Sequence, residues 1–153
     1  MIISGFYRND NPNKFHGGID IQHKPKGERG IAGGNVYATH DGIIMTAKYS
    51  ETAGNFVIVQ KGNVRTQYMH LSSIDDNITV EKEILAGTIL GKVGNTGRSF
   101  GNHLHYQIDI KNGETWTKVN PVLGDPKFIN QIEGDVNIIY ELKNIEQLVS
   151  NNK

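Results

Sequence analysis

The sequence predicts a mainly β protein: one antiparallel β-sheet domain with long loops, followed by a C-terminal helical tail. Three observations predict it. Apolar residues between positions 36 and 110 recur in short, mostly period-two runs bounded by Gly, Asn and Asp, the pattern of half-buried strands. Gly87, Gly91, Gly94, Gly97 and Gly101 punctuate a stretch too rich in glycine for a helix interior. Beyond Gly134 the glycines stop and the apolar residues take up helical spacing.

Taken in order, Ile19 and Ile21 face a core from either side of Asp20. Val36-Tyr37-Ala38 leads through Asp41-Gly42 to Ile43-Ile44-Met45, where Asp-Gly predicts a hairpin. Asn55 to Val59 is a β-branched and aromatic run that turns at Lys61-Gly62-Asn63 and returns from Val64 to Leu71. Leu104 to Ile110 is a further strand, with Leu104, Tyr106 and Ile108 on one face and His103, His105 and Gln107 on the other. Residues 1–125 read as this β domain and residues 126–153 as a helical extension. There Ile138, Leu142, Ile145 and Val149 keep a 4-3-4 seam able to pack on the domain or on another copy.

Composition narrows the chemistry. A chain of 153 residues is the size of one domain. It has no cysteine, which excludes disulfides, thiolate metal sites and a thiol nucleophile. Sixteen basic residues balance sixteen acidic ones, against a nucleic-acid face or a polybasic membrane anchor. No apolar run approaches the roughly 18 residues of a membrane span, and no signal peptide opens the chain. What stands out is 18 glycines, where an average composition has roughly 7%, and six histidines among polar and glycine-rich segments.

Three elements hold the imidazoles of interest. His16 and Asp20 are separated by Gly17-Gly18-Ile19, and the glycines favour a turn into a strand that can aim both side chains at one point. His103 and His105 flank Leu104 and share a strand face. His70 ends the strand that carries Tyr68. A catalytic zinc site needs three protein ligands, an open position and a nearby acid or base. From chemistry alone, any three of these five residues could bind the metal.

In order and type, the three elements resemble the motifs of the lysostaphin/LytM-type zinc endopeptidases, which cut peptides of bacterial peptidoglycan. His16-x-x-x-Asp20 resembles the first motif, Tyr68-x-His70-Leu71 the second and His103-x-His105 the third. Ser4-Gly5-Phe6 with Arg8, Val36-Tyr37-Ala38 with Asp41-Gly42, the glycines from Gly87 to Gly97 and Asn120-Pro121 also match the family's text, so the likeness spans about residues 2–125. It implies that His16, Asp20 and His105 hold one Zn²⁺ and that His70 and His103 are catalytic. All five being present argues against the degenerate members that have lost zinc. Tyr7 is the nearest candidate for an auxiliary tyrosine, and the loop from Lys24 to Gly34 is private to this chain.

The resemblance implies a metal-assisted hydrolase: zinc lowers the pKa of water toward about 7, His103 takes its proton, and His70 stabilises the oxyanion or leaving amine. The substrate would be peptidoglycan, either glycine bridges or D-alanyl–diamino acid cross-links, outside the cytoplasm. Without an export signal, delivery by a phage particle or another route is expected. The competing reading is a non-catalytic wall-binding module of a phage tail. Ser72 and Ser73 lie in no nucleophile elbow. The loop from Gly94 to Gly101 lacks a phosphate-cradle ending and suits a groove for an extended peptide. His23 and His40 are expected at the surface or in turns.

Overall fold

The computed structural model describes residues 2–4, 13–22, 32–119 and 121. Among them there are eleven strands and no α-helix. The mainly β, antiparallel class is therefore observed. The helical extension expected over residues 126–153 lies outside the described residues, as do Tyr7, Arg8, His23 and most of the loop from Lys24 to Gly34.

The strands are β1 (Ile2–Ser4), β2 (Ile19–Ile21), β3 (Asn35–Tyr37), β4 (Gly42–Ser50), β5 (Gly54–Lys61), β6 (Val64–Leu71), β7 (Ser73–Ile74), β8 (Glu83–Ile84), β9 (Ile89–Lys92), β10 (Leu104–Asn112) and β11 (Thr115–Val119). The large sheet runs β1-β2-β10-β6-β5-β4-β8, with β11 continuing along the edge of β10 beyond β2. A second sheet has the order β3-β9-β7. The core gathers Ile19, Tyr68, Leu104, Tyr106 and Ile108 from the large sheet with Val36 and Leu90 from the small one, all fully buried. Each such aliphatic side chain contributes about 1.5–3 kcal/mol relative to exposure.

The β5–β6 hairpin forms as its sequence predicts. Lys61 pairs with Val64, and Gly62 takes φ 57° at the first loop position, where a type II′ turn favours glycine. The hairpin expected across Asp41-Gly42 does not form. Val36 and Tyr37 pair with β9, whereas Ile43 pairs with both β5 and β8. The Asp-Gly pair carries the chain from one sheet to the other, and the Asp41 carboxylate accepts the Ala86 N–H at 2.7 Å. Tertiary pairing outweighs the local turn preference.

His40 lies in a bend before β4, one of the two places expected for it, but it is fully buried and not at the surface. Its Nδ1–H donates to the Asp41 carbonyl at 2.7 Å, and its Nε2 lies 2.9 Å from Thr66 Oγ1. It ends a buried polar chain in which Thr66 meets the Tyr68 hydroxyl at 2.8 Å, and Thr39 meets the hydroxyls of Tyr68 and Tyr106 at 3.0 and 2.9 Å. Burial lowers the pKa of His40 against the opposing bond to Asp41.

Candidate metal centre and cleft

The site grows out of the alternation of β2, β6 and β10. Asp20 lies opposite His105 across the β2–β10 pair, and His105 lies opposite Met69 across β10–β6. With Ile19, Ile21, Leu104 and Tyr106 turned into the core, Asp20 and His105 must turn to the other face. His16 arrives from the turn before β2. Gly17 there has φ 85°, and at Gly18 a Cβ would stand 2.7 Å from His105 Nε2 and 2.6 Å from the Tyr106 carbonyl oxygen. A glycine at that position lets the β10 backbone and the His105 ring close on the turn.

His70 reaches the same face by a device that its sequence does not advertise. Plain alternation would place it beside Tyr68, in the core. In the pairing of β6 with β5, Tyr68 faces Val57 while Leu71 faces Asn55. Three steps on β6 thus match two on β5, a bulge with one extra residue. His70 takes it up with φ 66°, a left-handed conformation that few residues other than glycine adopt, histidine more readily than most. The Ala53 carbonyl holds its N–H at 2.8 Å, and its ring Nδ1–H donates to the Thr96 carbonyl at 2.8 Å. Gly54 and Gly97, both at positive φ, pack backbone against backbone where neither could carry a Cβ. That contact seats the loop bearing Thr96.

All five residues singled out in the sequence come together. One oxygen of Asp20, Oδ1, lies 3.2 Å from His16 Nε2, 3.0 Å from His105 Nδ1 and 3.5 Å from His103 Nε2. The His70 ring stands 4.9 Å from that of His103 and 6.2 Å from that of His105, centroid to centroid. His103 Nδ1–H donates to the Gly101 carbonyl at 2.7 Å, leaving Nε2 bare in the neutral ring. Burial alone would raise the pKa of Asp20. The hydrogen bonds of His105 and His16 and the nearby charge of His103 outweigh it and hold the carboxyl far below its ordinary range. For His70, burial dominates and lowers the pKa.

A donor set can be tested for a metal from these distances. His16, Asp20 and His105 each offer one ligand atom, all within 4.8 Å of one another. Two imidazole nitrogens and a carboxylate oxygen suit zinc, whose bonds of about 2.0–2.2 Å set neighbouring tetrahedral donors roughly 3.3–3.5 Å apart. The observed 3.0 and 3.2 Å are close to that edge, so the residues fit. The set opens onto a cleft of about 590 Å³ whose walls include Met69, Arg98, Phe100 and Lys118.

Three convergent donors with two further imidazoles in an open cleft are the equipment of a metal-dependent hydrolase. The chain belongs to peptidase family M23, whose model matches residues 14–121. It is 38% identical over 77 residues to the peptidoglycan DD-endopeptidase ShyA of Vibrio cholerae, covering 50% of this chain and 17% of that protein. The match thus spans about a sixth of the length of that relative. Among solved structures, it is similar to the catalytic domain of the prophage-encoded M23 protein EnpA of Enterococcus faecalis, with a TM-score of 0.64 and 27% identity, covering 79% of this chain and 88% of that one. It is also similar to the catalytic domain of the antimicrobial peptidase lysostaphin of Staphylococcus simulans, with a TM-score of 0.57 and 29% identity, covering 75% and 84%. The resemblance drawn from the motifs to lysostaphin-type peptidases is therefore shown.

One part of the site escaped the sequence: Gln107 was legible on the His105 face but carried no role, and Asp109, the next residue on that face, was not singled out. Both are buried beside His105. Their period-two spacing after His105 was the available signal, but uncharged or singly charged residues in a strand carry no motif.

Proposed function

We propose that this chain is a zinc-dependent endopeptidase that hydrolyses peptide cross-links or bridges of bacterial peptidoglycan, with His16, Asp20 and His105 as ligands and His70 and His103 as the acid–base pair. The observation that carries the reading is the convergence of three donors on one point with two further imidazoles beside them. Zinc held there supplies Lewis-acid polarisation of the scissile carbonyl and a more acidic water.

The protein's own groups supply the proton transfers. His103 and His70 both use Nδ1–H on a backbone carbonyl, so in the neutral ring of each it is Nε2 that is available to the cleft. His103, nearer Asp20, takes the proton of the attacking water at Nε2 and can return it to the leaving amine. His70 is kept neutral by burial and becomes a donor only after gaining a proton, which negative charge developing on the substrate favours.

The name of the V. cholerae relative supports peptidoglycan as substrate, and with it action outside the cytoplasm. The EnpA description supports a phage-associated role. Arg98 and Lys118 are the cationic side chains of the cleft wall and suit carboxylate-bearing stem peptides joined by D-alanyl–diamino acid cross-links better than neutral glycine bridges. Among the described residues, no helix is long and apolar enough to cross a membrane.

The experiment is digestion of purified walls of both cross-link types, with and without chelator, read by turbidity and by mass spectrometry of released peptides. New amine ends that vanish with chelator and return with zinc are expected. Wall binding with no released peptide would leave the non-catalytic tail module instead.

A further inference from the structure

Behind His105 lies a buried polar chain that the reaction itself does not use. His105 Nε2 is 3.2 Å from Gln107 Oε1, and Gln107 Nε2 donates to Asp109 Oδ1 at 3.0 Å. The other carboxylate oxygen accepts from Gln67 Nε2 at 2.6 Å and Arg65 Nε at 2.9 Å. Cross-strand pairing builds the cluster, with Gln107 opposite Gln67 and Asp109 opposite Arg65. The Arg65 guanidinium lies 4.2 Å over the Trp116 ring, which fixes it from β11. Asp109 is 1% exposed, and a buried carboxylate is retained only with such partners.

The polarity of this chain follows from one fact: a carboxylate has no hydrogen to donate. Asp109 therefore requires the NH₂ end of Gln107, which turns the amide oxygen to His105. That oxygen accepts only, so His105 must carry its hydrogen on Nε2. Nδ1, 3.0 Å from Asp20 Oδ1, is then the nitrogen that faces the carboxylate and would serve a metal shared with it. We propose that Asp109 is a positioning residue for metal binding, acting through Gln107 to hold the ring hydrogen of His105 on Nε2, so that Nδ1 is the atom offered to a metal beside Asp20. The proposal rests on the reading of His105 as a ligand. Metal-binding histidines are commonly oriented by an acceptor on their second nitrogen, and losing it costs 10–100-fold in affinity. Here a neutral amide stands in that place, with the charge one link further back.

Asp109→Asn reverses the polarity without changing the shape. The new amide turns its oxygen to the two donors of Arg65 and Gln67, so its NH₂ meets Gln107. Gln107 then flips and offers NH₂ to His105, driving the ring hydrogen to Nδ1. The swap Gln107→Glu with Asp109→Asn keeps the net charge and restores an acceptor at His105, since the glutamate accepts from both neighbours.

The test measures zinc affinity by competition with a chromophoric chelator, and the protonated nitrogen of His105 by ¹⁵N NMR of labelled imidazoles, with circular dichroism to score folding. In the zinc-loaded unaltered chain, His105 should carry hydrogen on Nε2. Asp109→Asn should weaken zinc binding 10–100-fold, and the swap should restore it to within about tenfold. Unchanged affinity in folded Asp109→Asn, or a swap as weak as the single variant, overturns the proposal. Should Asp109→Asn fail to fold, the unaltered chain and the swap still decide: hydrogen on Nδ1 of zinc-bound His105 in either would overturn it. If the unaltered chain binds zinc without His105, the ligand reading itself has failed.

Discussion

The two faces of β6 and β10 are built from the same alternating strands, yet one is a core and the other a reaction cleft. On the core face, Tyr68 and Tyr106 lie side by side with ring centroids 5.4 Å apart, and Thr39 closes their hydroxyls into a neutral network. On the cleft face, Asp20, His105, Gln107 and Asp109 form a network that contains charge and ends at open space. Both faces bury polar groups, and both satisfy them. The difference is closure. A neutral network with every partner inside the protein specifies the fold, whereas one that leaves donor atoms convergent on a cleft can bind and react.

The largest effect expected from breaking this contrast comes from the convergent donors. His16→Ala, Asp20→Ala and His105→Ala should each lose zinc, read by elemental analysis, and reduce wall hydrolysis to background. The next largest effect falls on the groups beside them. His103→Ala and His70→Ala should retain zinc and lose about 10²–10⁴-fold in rate, the usual worth of general acid–base catalysis. Full zinc occupancy in His105→Ala, or its loss in His103→Ala, would exchange the roles of the two histidines.

The core face should answer differently. Tyr68→Phe removes the hydroxyl that the Thr39 N–H, Thr39 Oγ1 and Thr66 share. Leaving those groups unpaired should cost about 1–3 kcal/mol of stability in chemical denaturation, with zinc content and kcat unchanged. A fall in kcat at full folding would show that the two faces are coupled through the strands.

The contrast also explains what could be read in advance. Period-two alternation put Leu104, Tyr106 and Ile108 in the core and His105 and Gln107 opposite, because a strand's two faces follow from counting. The Gly62-Asn63 turn was legible because its partners are adjacent in the chain. The Asp41-Gly42 pair misled because Val36 and Ile43 find their partners in β9, β5 and β8, far away in sequence. His70 reaches the cleft only through a bulge, and counting residues along β6 would have sent it to the core. The ordered motifs carried that residue where periodicity could not. His40 and Asp109 look like surface residues because the groups that bury them come from distant strands.

The smallest effect expected separates two buried imidazoles, His40 on the core side and His70 on the cleft side. Burial lowers both pKa values below the ordinary 6.5. At His40 the charge of Lys61 adds to the lowering, and the Asp41 carbonyl and carboxylate oppose it. The unfolded chain takes up a proton near pH 6.5, while the folded chain takes it up only at lower pH. Between those values the unfolded state holds more protons, so stability must fall as pH drops through this window and level off below it. His40→Gln can keep a hydrogen bond to Thr66 but cannot titrate. Its melting temperature should therefore fall less than that of the unaltered chain between pH 7 and pH 5, with the remaining slope belonging to the cleft, His70 included. Equal slopes in the two proteins would place the whole acid sensitivity on the cleft face and leave His40 a silent member of the core network.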